Sequence, residues 1–227
     1  GTSGRNPITF DNWNNSKILA YWKYDDATKP GKDSHSWLGR LNNIRTALQG
    51  QQGDRRLRLG IAGGEWKKMM ADATARTRFA SEVKKIIEQY DFDGVDFDFE
   101  WPANASEYNN YSATVIQMRS TLGKYVYFTA SLHPVSFKIS PEAIDALDFI
   151  SYQCYGPAVM RFPYEQFVKD GEAAVAYGIP KNKLVMGVPF YGSTGSLIAA
   201  YCDFVNDGLA TTNEDTYTYK GNTYTFN

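Results

Sequence analysis

The chain has 227 residues, 43% hydrophobic and 22% charged, the balance of a globular protein with one sizeable core. Its formal net charge of −1 argues against a polyanionic partner such as nucleic acid, and no apolar run reaches the ~20 residues of a transmembrane segment. Two cysteines, Cys154 and Cys202, rule out a disulfide-dense scaffold, and His35 and His133 lie far apart without Cys or His at ligand spacing, which argues against a zinc site.

In chain order, Gly1-Thr2-Ser3-Gly4 reads as a trimmed or engineered start, so an export signal is expected to have been removed. Short apolar runs then alternate with segments of helical period. Strands are predicted at Lys17 to Trp22, Leu57 to Ile61, Gly94 to Glu100, Tyr125 to Ser131, Leu147 to Cys154 and Leu184 to Phe190. Phe79, Val83, Ile86, Ile87 and Tyr90 fall on one face of a helix, as do Val115, Met118 and Leu122. Ser140 before Pro141 reads as an N-cap followed by proline at the first helical position. Gly178 and Pro180 close the helix that carries Phe167, Val168 and Ala174. Strand and helix in this alternation predict parallel βα units. Two architectures compete, an open doubly wound sheet and a closed (β/α)8 barrel. Gly60-Ile61-Ala62-Gly63-Gly64 lacks the Lys-Ser/Thr of a phosphate-binding loop and the spacing of the dinucleotide fingerprint, so nothing favours the open sheet.

The stretch Asp91 to Pro102, DFDGVDFDFEWP, decides for the barrel. In a strand every second side chain shares a face, so Val95, Phe97 and Phe99 would pack outward against helices. Asp96, Asp98 and Glu100 would point inward about 6–7 Å apart. Burying three carboxylates in a column is costly unless they share protons and hydrogen bonds, and their mutual repulsion is expected to raise at least one pKa. That is what a general acid needs, and Glu100 ends the strand at the face where barrel enzymes place their chemistry. Aromatic residues make up 15% of the chain. Most are expected in the core, but sugar-binding clefts also use them, because an apolar pyranose face stacks on a ring.

Asp93-Gly94-Val95-Asp96-Phe97-Asp98-Phe99-Glu100 resembles the Asp-Gly-x-Asp-x-Asp-x-Glu signature of glycoside hydrolase family 18, which holds chitinases, endo-β-N-acetylglucosaminidases and inactive lectin-like relatives. Lys17 to Trp22 looks like the first barrel strand, Gly60 to Trp66 like the family's Ser-x-Gly-Gly strand end without its Ser, Ala146 to Gly156 like the sixth strand and Leu184 to Gly192 like the seventh. The resemblance implies a TIM (β/α)8 barrel and a substrate-assisted retaining mechanism without metal or organic cofactor. In it Glu100 protonates the glycosidic oxygen, Asp98 orients the substrate acetamide, Asp96 holds a proton with Asp98, and Tyr155 bonds the acetamide carbonyl. Asp93 and Gln153 are further substrate-site candidates. Trp22, Trp66, Trp101 and Tyr191 are candidates for stacking on sugar rings, each equally able to be core. Cys154 should be a buried thiol facing the helical layer, and a disulfide to Cys202 has no support.

Three features depart from the family. Gly156 stands where many chitinases carry Asp or Asn, and Ser193 where many relatives carry Arg. An eight-stranded barrel is also hard to fit, because no second strand is evident between Trp22 and Leu57 and none ends in the family's Trp after Gly192. Segments are therefore expected to be missing near residues 25–34 and beyond 192. Ala210 to Asn227 is Thr- and Tyr-rich with Lys220-Gly221-Asn222 at a turn, which predicts a β-hairpin. The organisation expected is one catalytic barrel domain over 1–227 with a small β-rich insertion at about 194–227. The partner implied is an N-acetylglucosamine-containing oligo- or polysaccharide, and such a substrate places the protein outside the cell or at its surface. Asn104-Ala105-Ser106 and Asn110-Tyr111-Ser112 are glycosylation sequons.

Overall fold

A computed structural model describes residues 37–49, 56–62, 66–156, 164–209 and 215–226. The expected strand at Lys17 to Trp22 and the segment 25–34 lie outside them. The chain divides into two compact units, one ending at Ser131 but including Lys138–Phe149, the other made of Leu132–Phe137 and the residues from Ile150 onward.

The first unit alternates strand and helix. Helix α1 (Trp37–Gln49) precedes β1 (Arg58–Ile61), α2 (Trp66–Ala71) and α3 (Ala73–Tyr90). Then come β2 (Gly94–Phe97), α4 (Ala105–Leu122), β3 (Tyr127–Leu132) and α5 (Pro141–Ala146). β2 lies between β1 and β3, parallel to both, in a register that sets Gly60 beside Asp96 and Asp96 beside Thr129. Gly94 has no alternative at its position: a Cβ there would lie 2.1 Å from the Tyr127 carbonyl oxygen.

Local chemistry places the helices. The Asp72 side chain accepts from the Ala75 N–H at 2.8 Å and starts α3. The predicted face of α3, Phe79, Val83, Ile86, Ile87 and Tyr90, is buried. Ser140 caps α5 ahead of Pro141, as expected from the sequence. Between these helices and the strands lies an aromatic core. Phe97 meets Phe128 edge-on with ring centroids 4.7 Å apart, Phe99 at 5.1 Å and Phe79 at 5.9 Å. All four rings are fully buried. Each buried ring contributes about 1.5–3 kcal/mol. This packing holds the outward face of β2 and so aims the other face.

In the second unit, β4 (Phe149–Gln153) runs parallel to β5 (Leu184–Gly187), with α6 (Tyr164–Tyr177) between them in sequence. The chain continues into an antiparallel sheet of β6 (Tyr191–Ser193), β7 (Ile198–Ala200), β8 (Thr216–Tyr219) and β9 (Asn222–Thr225), ordered β7-β6-β9-β8. The predicted hairpin is β8 and β9, turning at Lys220 and Gly221, both with positive φ. Helix α7 (Tyr201–Asn206) buries Phe204 against Tyr224, Leu209 and neighbouring aromatic rings. Cys154 is buried and Cys202 exposed, and both thiols are free. Among the described residues no helix is long and apolar enough to cross a membrane.

Candidate active site

β2 alternates as its sequence requires. Val95, Phe97 and Phe99 are fully buried, Asp96 and Asp98 are half-buried, and Glu100 is exposed. Regular strand geometry ends at Phe97, but the Asp98 N–H still donates to the Ile61 carbonyl at 2.8 Å, so the pairing with β1 runs one residue further. The three acids thus climb one face toward the C-terminal end of the parallel strands, where βα folds gather their functional groups.

Asp96 is the anchored member. One carboxylate oxygen accepts from Arg58 Nη1 at 3.2 Å and from the Thr129 hydroxyl; the other accepts from Ser131 Oγ at 3.2 Å. Arg58 also donates to Thr129, and its guanidinium lies 4.8 Å from the Phe149 ring centroid. A cation and two hydroxyls therefore compensate the carboxylate at the base of the column. The column's charge is felt behind the strand: burial first, then the charges of Asp96 and Asp98, push the Tyr111 phenol upward.

The chain beyond Glu100 is tied down as well. The Glu100–Trp101 peptide is cis and Trp101 is half-buried. Asn104 caps α4 by accepting from the Glu107 N–H at 3.0 Å. Glu107 Oε2 in turn accepts from the Ala103 N–H at 2.8 Å and from Lys67 Nζ at 2.7 Å. A two-way hydrogen-bonded cap thus begins three residues after Glu100.

In the second unit, Ile150, Tyr152 and Cys154 are buried while Ser151, Gln153 and Tyr155 are half-buried, an alternation like that of β2. Cys154 faces helical residues as expected: burial, with the charge of Asp170 on α6, pushes its thiol up to about 12. The Tyr155 ring lies over Gly187, where a Cβ would approach it to 3.3 Å. A side chain at Gly156 would meet the Tyr191 hydroxyl at 3.7 Å. Burial raises the Tyr191 phenol, partly opposed by a hydrogen bond with the Gly156 backbone. Gln153, Tyr155 and Tyr191 therefore gather around the end of β4.

Two expected substrate contacts are corrected. Trp66 is 1% exposed and packs against Phe99 and Tyr111 at 5.8 and 6.0 Å, so it is a core ring of α2 with no face free for a sugar. Asp93 lies at the start of β2, seven residues and about 20 Å of extended chain from Glu100. Its carboxylate accepts from the Leu57 N–H at 2.6 Å and its N–H donates to the Leu57 carbonyl, which makes it a staple between strand beginnings. Trp22 lies outside the described residues. Arg58, Thr129 and Ser131 escaped the sequence reading. Their signal is a polar residue at every second position of an otherwise apolar strand. Among the described residues no group of three or more His, Cys, Asp or Glu could hold a metal ion.

A sequence model of the family described as Glycosyl hydrolases family 18 matches residues 6–225. "Probable chitinase 2" of Drosophila melanogaster is 26% identical over 189 residues, which cover 66% of this chain and 37% of that protein. "Class V chitinase" of Arabidopsis thaliana is 25% identical over 167 residues, 59% of this chain and 44% of that protein. The chain thus spans less than half the length of these two relatives. The crystal structure of a chitinase from Bacteroides thetaiotaomicron superposes with a TM-score of 0.70 at 19% identity, covering 96% of this chain and 79% of that one. The fold is the α/β TIM barrel class of these proteins, with five parallel-sheet strands and no closed barrel among the described residues.

Proposed function

Because the chain belongs to glycosyl hydrolases family 18, we propose that it is a chitinase-like hydrolase of β-1,4-linked N-acetylglucosamine glycans, with Glu100 as its proton donor. The observation that carries this reading is the column of Asp96, Asp98 and Glu100, intact and opposite a buried Phe face, with the last acid exposed at the strand's end. A general acid must reach the glycosidic oxygen, and of the three carboxylates Glu100 is the accessible one.

In the proposed reaction Glu100 gives its proton to the leaving oxygen as the glycosidic bond breaks. The substrate's own acetamido oxygen attacks the anomeric carbon, and the resulting oxazolinium ion is opened by water that Glu100 deprotonates. Asp98 orients the acetamide and balances its developing positive charge. Asp96, fixed by Arg58, Thr129 and Ser131, gives Asp98 a stationary partner. Tyr155 contacts the acetamide carbonyl, Gln153 lines the same subsite, and Trp101 and Tyr191 offer rings to sugar faces. No metal or organic cofactor enters this scheme. A polymeric substrate of this kind places the protein outside the cell or at its surface.

Hydrolysis of a fluorogenic chitotrioside by the wild type and by Glu100→Gln, alongside release of N-glycans from a glycoprotein, tests the reading. Chitotrioside turnover that vanishes in the variant is expected. Glycan release alone would move the assignment to an endo-β-N-acetylglucosaminidase. Binding of N-acetylglucosamine oligomers without cleavage of either substrate would make the chain a glycan-binding relative.

A further inference from the structure

We propose that His133 is a positioning residue for Tyr155, holding the two carbonyls that follow β4 through its Nε2–H. This rests on the reading of Tyr155 as a substrate contact. His133, Tyr155 and every group named below belong to the second unit.

His133 opens the tight turn His133-Pro134-Val135-Ser136. The Ser136 N–H donates to the His133 carbonyl at 2.7 Å, and the His133 N–H donates back at 3.3 Å. Pro134 presets the turn's second position. The imidazole is 1% exposed. Its tautomer follows from its neighbours. The Val135 N–H, which can only donate, lies 3.2 Å from Nδ1, so Nδ1 is an acceptor and carries no proton. Nε2 then bears the single proton of the neutral ring. It lies 3.0 Å from the Tyr155 carbonyl oxygen and 3.0 Å from that of Gly156, both of which can only accept.

Two consecutive carbonyls can converge on one donor only if the chain curls between them. Gly156 supplies that curl at φ 44°, in the left-handed region where glycine is unstrained. Tyr155 is thereby held at both ends, its carbonyl by His133 and its ring by the surface of Gly187. The plainer role for a buried histidine is to satisfy a loop. Positioning differs from it in one measurable way: the cost of losing the Nε2 donor should pass through Tyr155.

Two residues of similar size separate these roles. Glutamine can place an amide N–H near Nε2, whereas asparagine reaches only as far as Nδ1. Turnover of the fluorogenic chitotrioside by the full chain is expected to fall about 10- to 100-fold in kcat for His133→Asn, the scale of a displaced contact group. His133→Gln should stay within about three-fold of wild type, and in a Tyr155→Phe background His133→Asn should cost less than about two-fold. Equal losses in both backgrounds, or a glutamine variant no better than asparagine, would overturn the proposal. Imidazole spectra of the 15N-labelled wild type should show protonation at Nε2 alone, and a proton on Nδ1 would overturn it whatever the enzyme does. A wild type without turnover sinks the hydrolase reading instead. The same cycle is then read on chitotriose affinity by calorimetry under the same criteria, and absence of binding ends the positioning claim too.

Discussion

Arg58 on β1 and Asp96 on β2 form an ion pair, Nη1 to Oδ1 at 3.2 Å, and the Thr129 hydroxyl joins them by accepting from the first and donating to the second. Their side chains are 29% and 20% exposed, so water screens the pair only partly. Arg58→Met keeps the aliphatic stem and removes the cation. Asp96 then retains two hydroxyl donors but no counter-charge. The expected loss is about 1–3 kcal/mol of stability, read as a lower urea midpoint at unchanged slope. Arg58→Lys should recover only part, because its ammonium ends short of the Nη1 position and lacks the planar face that lies over the Phe149 ring. An unchanged midpoint in Arg58→Met would assign the pair the near-zero value of a surface ion pair.

Gly60 stands directly across from Asp96 in the register, and among the described residues a Cβ built there meets nothing within 4 Å. The resemblance noted from the sequence puts a serine at this position. Gly60→Ser should therefore fit and offer Asp96 a further hydroxyl. Removing a glycine from a strand should also raise stability by about 0.5–1 kcal/mol, because the unfolded chain loses freedom. Thermal unfolding checks this, and a lowered midpoint would show that the added hydroxyl is harboured at a net cost.

Much of this was legible because period-2 and period-3.6 patterns report directly which face is buried. The alternation Val95, Phe97, Phe99 against Asp96, Asp98, Glu100 assigns two faces from the sequence alone, and so does the period of α3 for its buried face. Illegible were contacts whose partners are distant in sequence. Arg58 and Ser131 meet Asp96 from 38 and 35 residues away, and only the strand register brings them together. Trp66 and Asp93 misled for a related reason. Residue type marks both as sugar contacts, yet Trp66 falls on a helix against Phe99, and Asp93 lies at the wrong end of its strand. Motif membership told that Asp93 matters, and only the hydrogen bond to Leu57 told how.

The two thiols should differ sharply in reactivity. Cys154 is buried with its thiol pushed up to about 12, so almost none is thiolate near neutral pH, while Cys202 is exposed at the start of α7. Iodoacetamide at pH 8 should alkylate Cys202 in the native protein and reach Cys154 only after denaturation, as read by peptide mass spectrometry. Native modification of Cys154 at a comparable rate would show that the layer between β4 and α6 opens readily.

Glu107 links the segment after Glu100 to pH. The hydrogen bond from Lys67, followed by that from the Ala103 N–H, holds its carboxyl below the usual carboxylate range. A group whose folded pKa is depressed stabilises the fold above its unfolded value, about 4.3 for glutamate, and that contribution disappears as pH falls through the lower folded value. Glu107→Gln should therefore be less stable than wild type at pH 7, with the two converging as pH drops below about 4. Urea unfolding of both proteins at pH 7 and at pH 3 checks the sign. Because Ala103 is three residues from Glu100, the variant should also exchange the Ala103 amide faster at pH 7. A stability gap of the same size at both pH values would mean that the charge on Glu107 contributes nothing, and that the cap of α4 needs only a hydrogen-bond acceptor there.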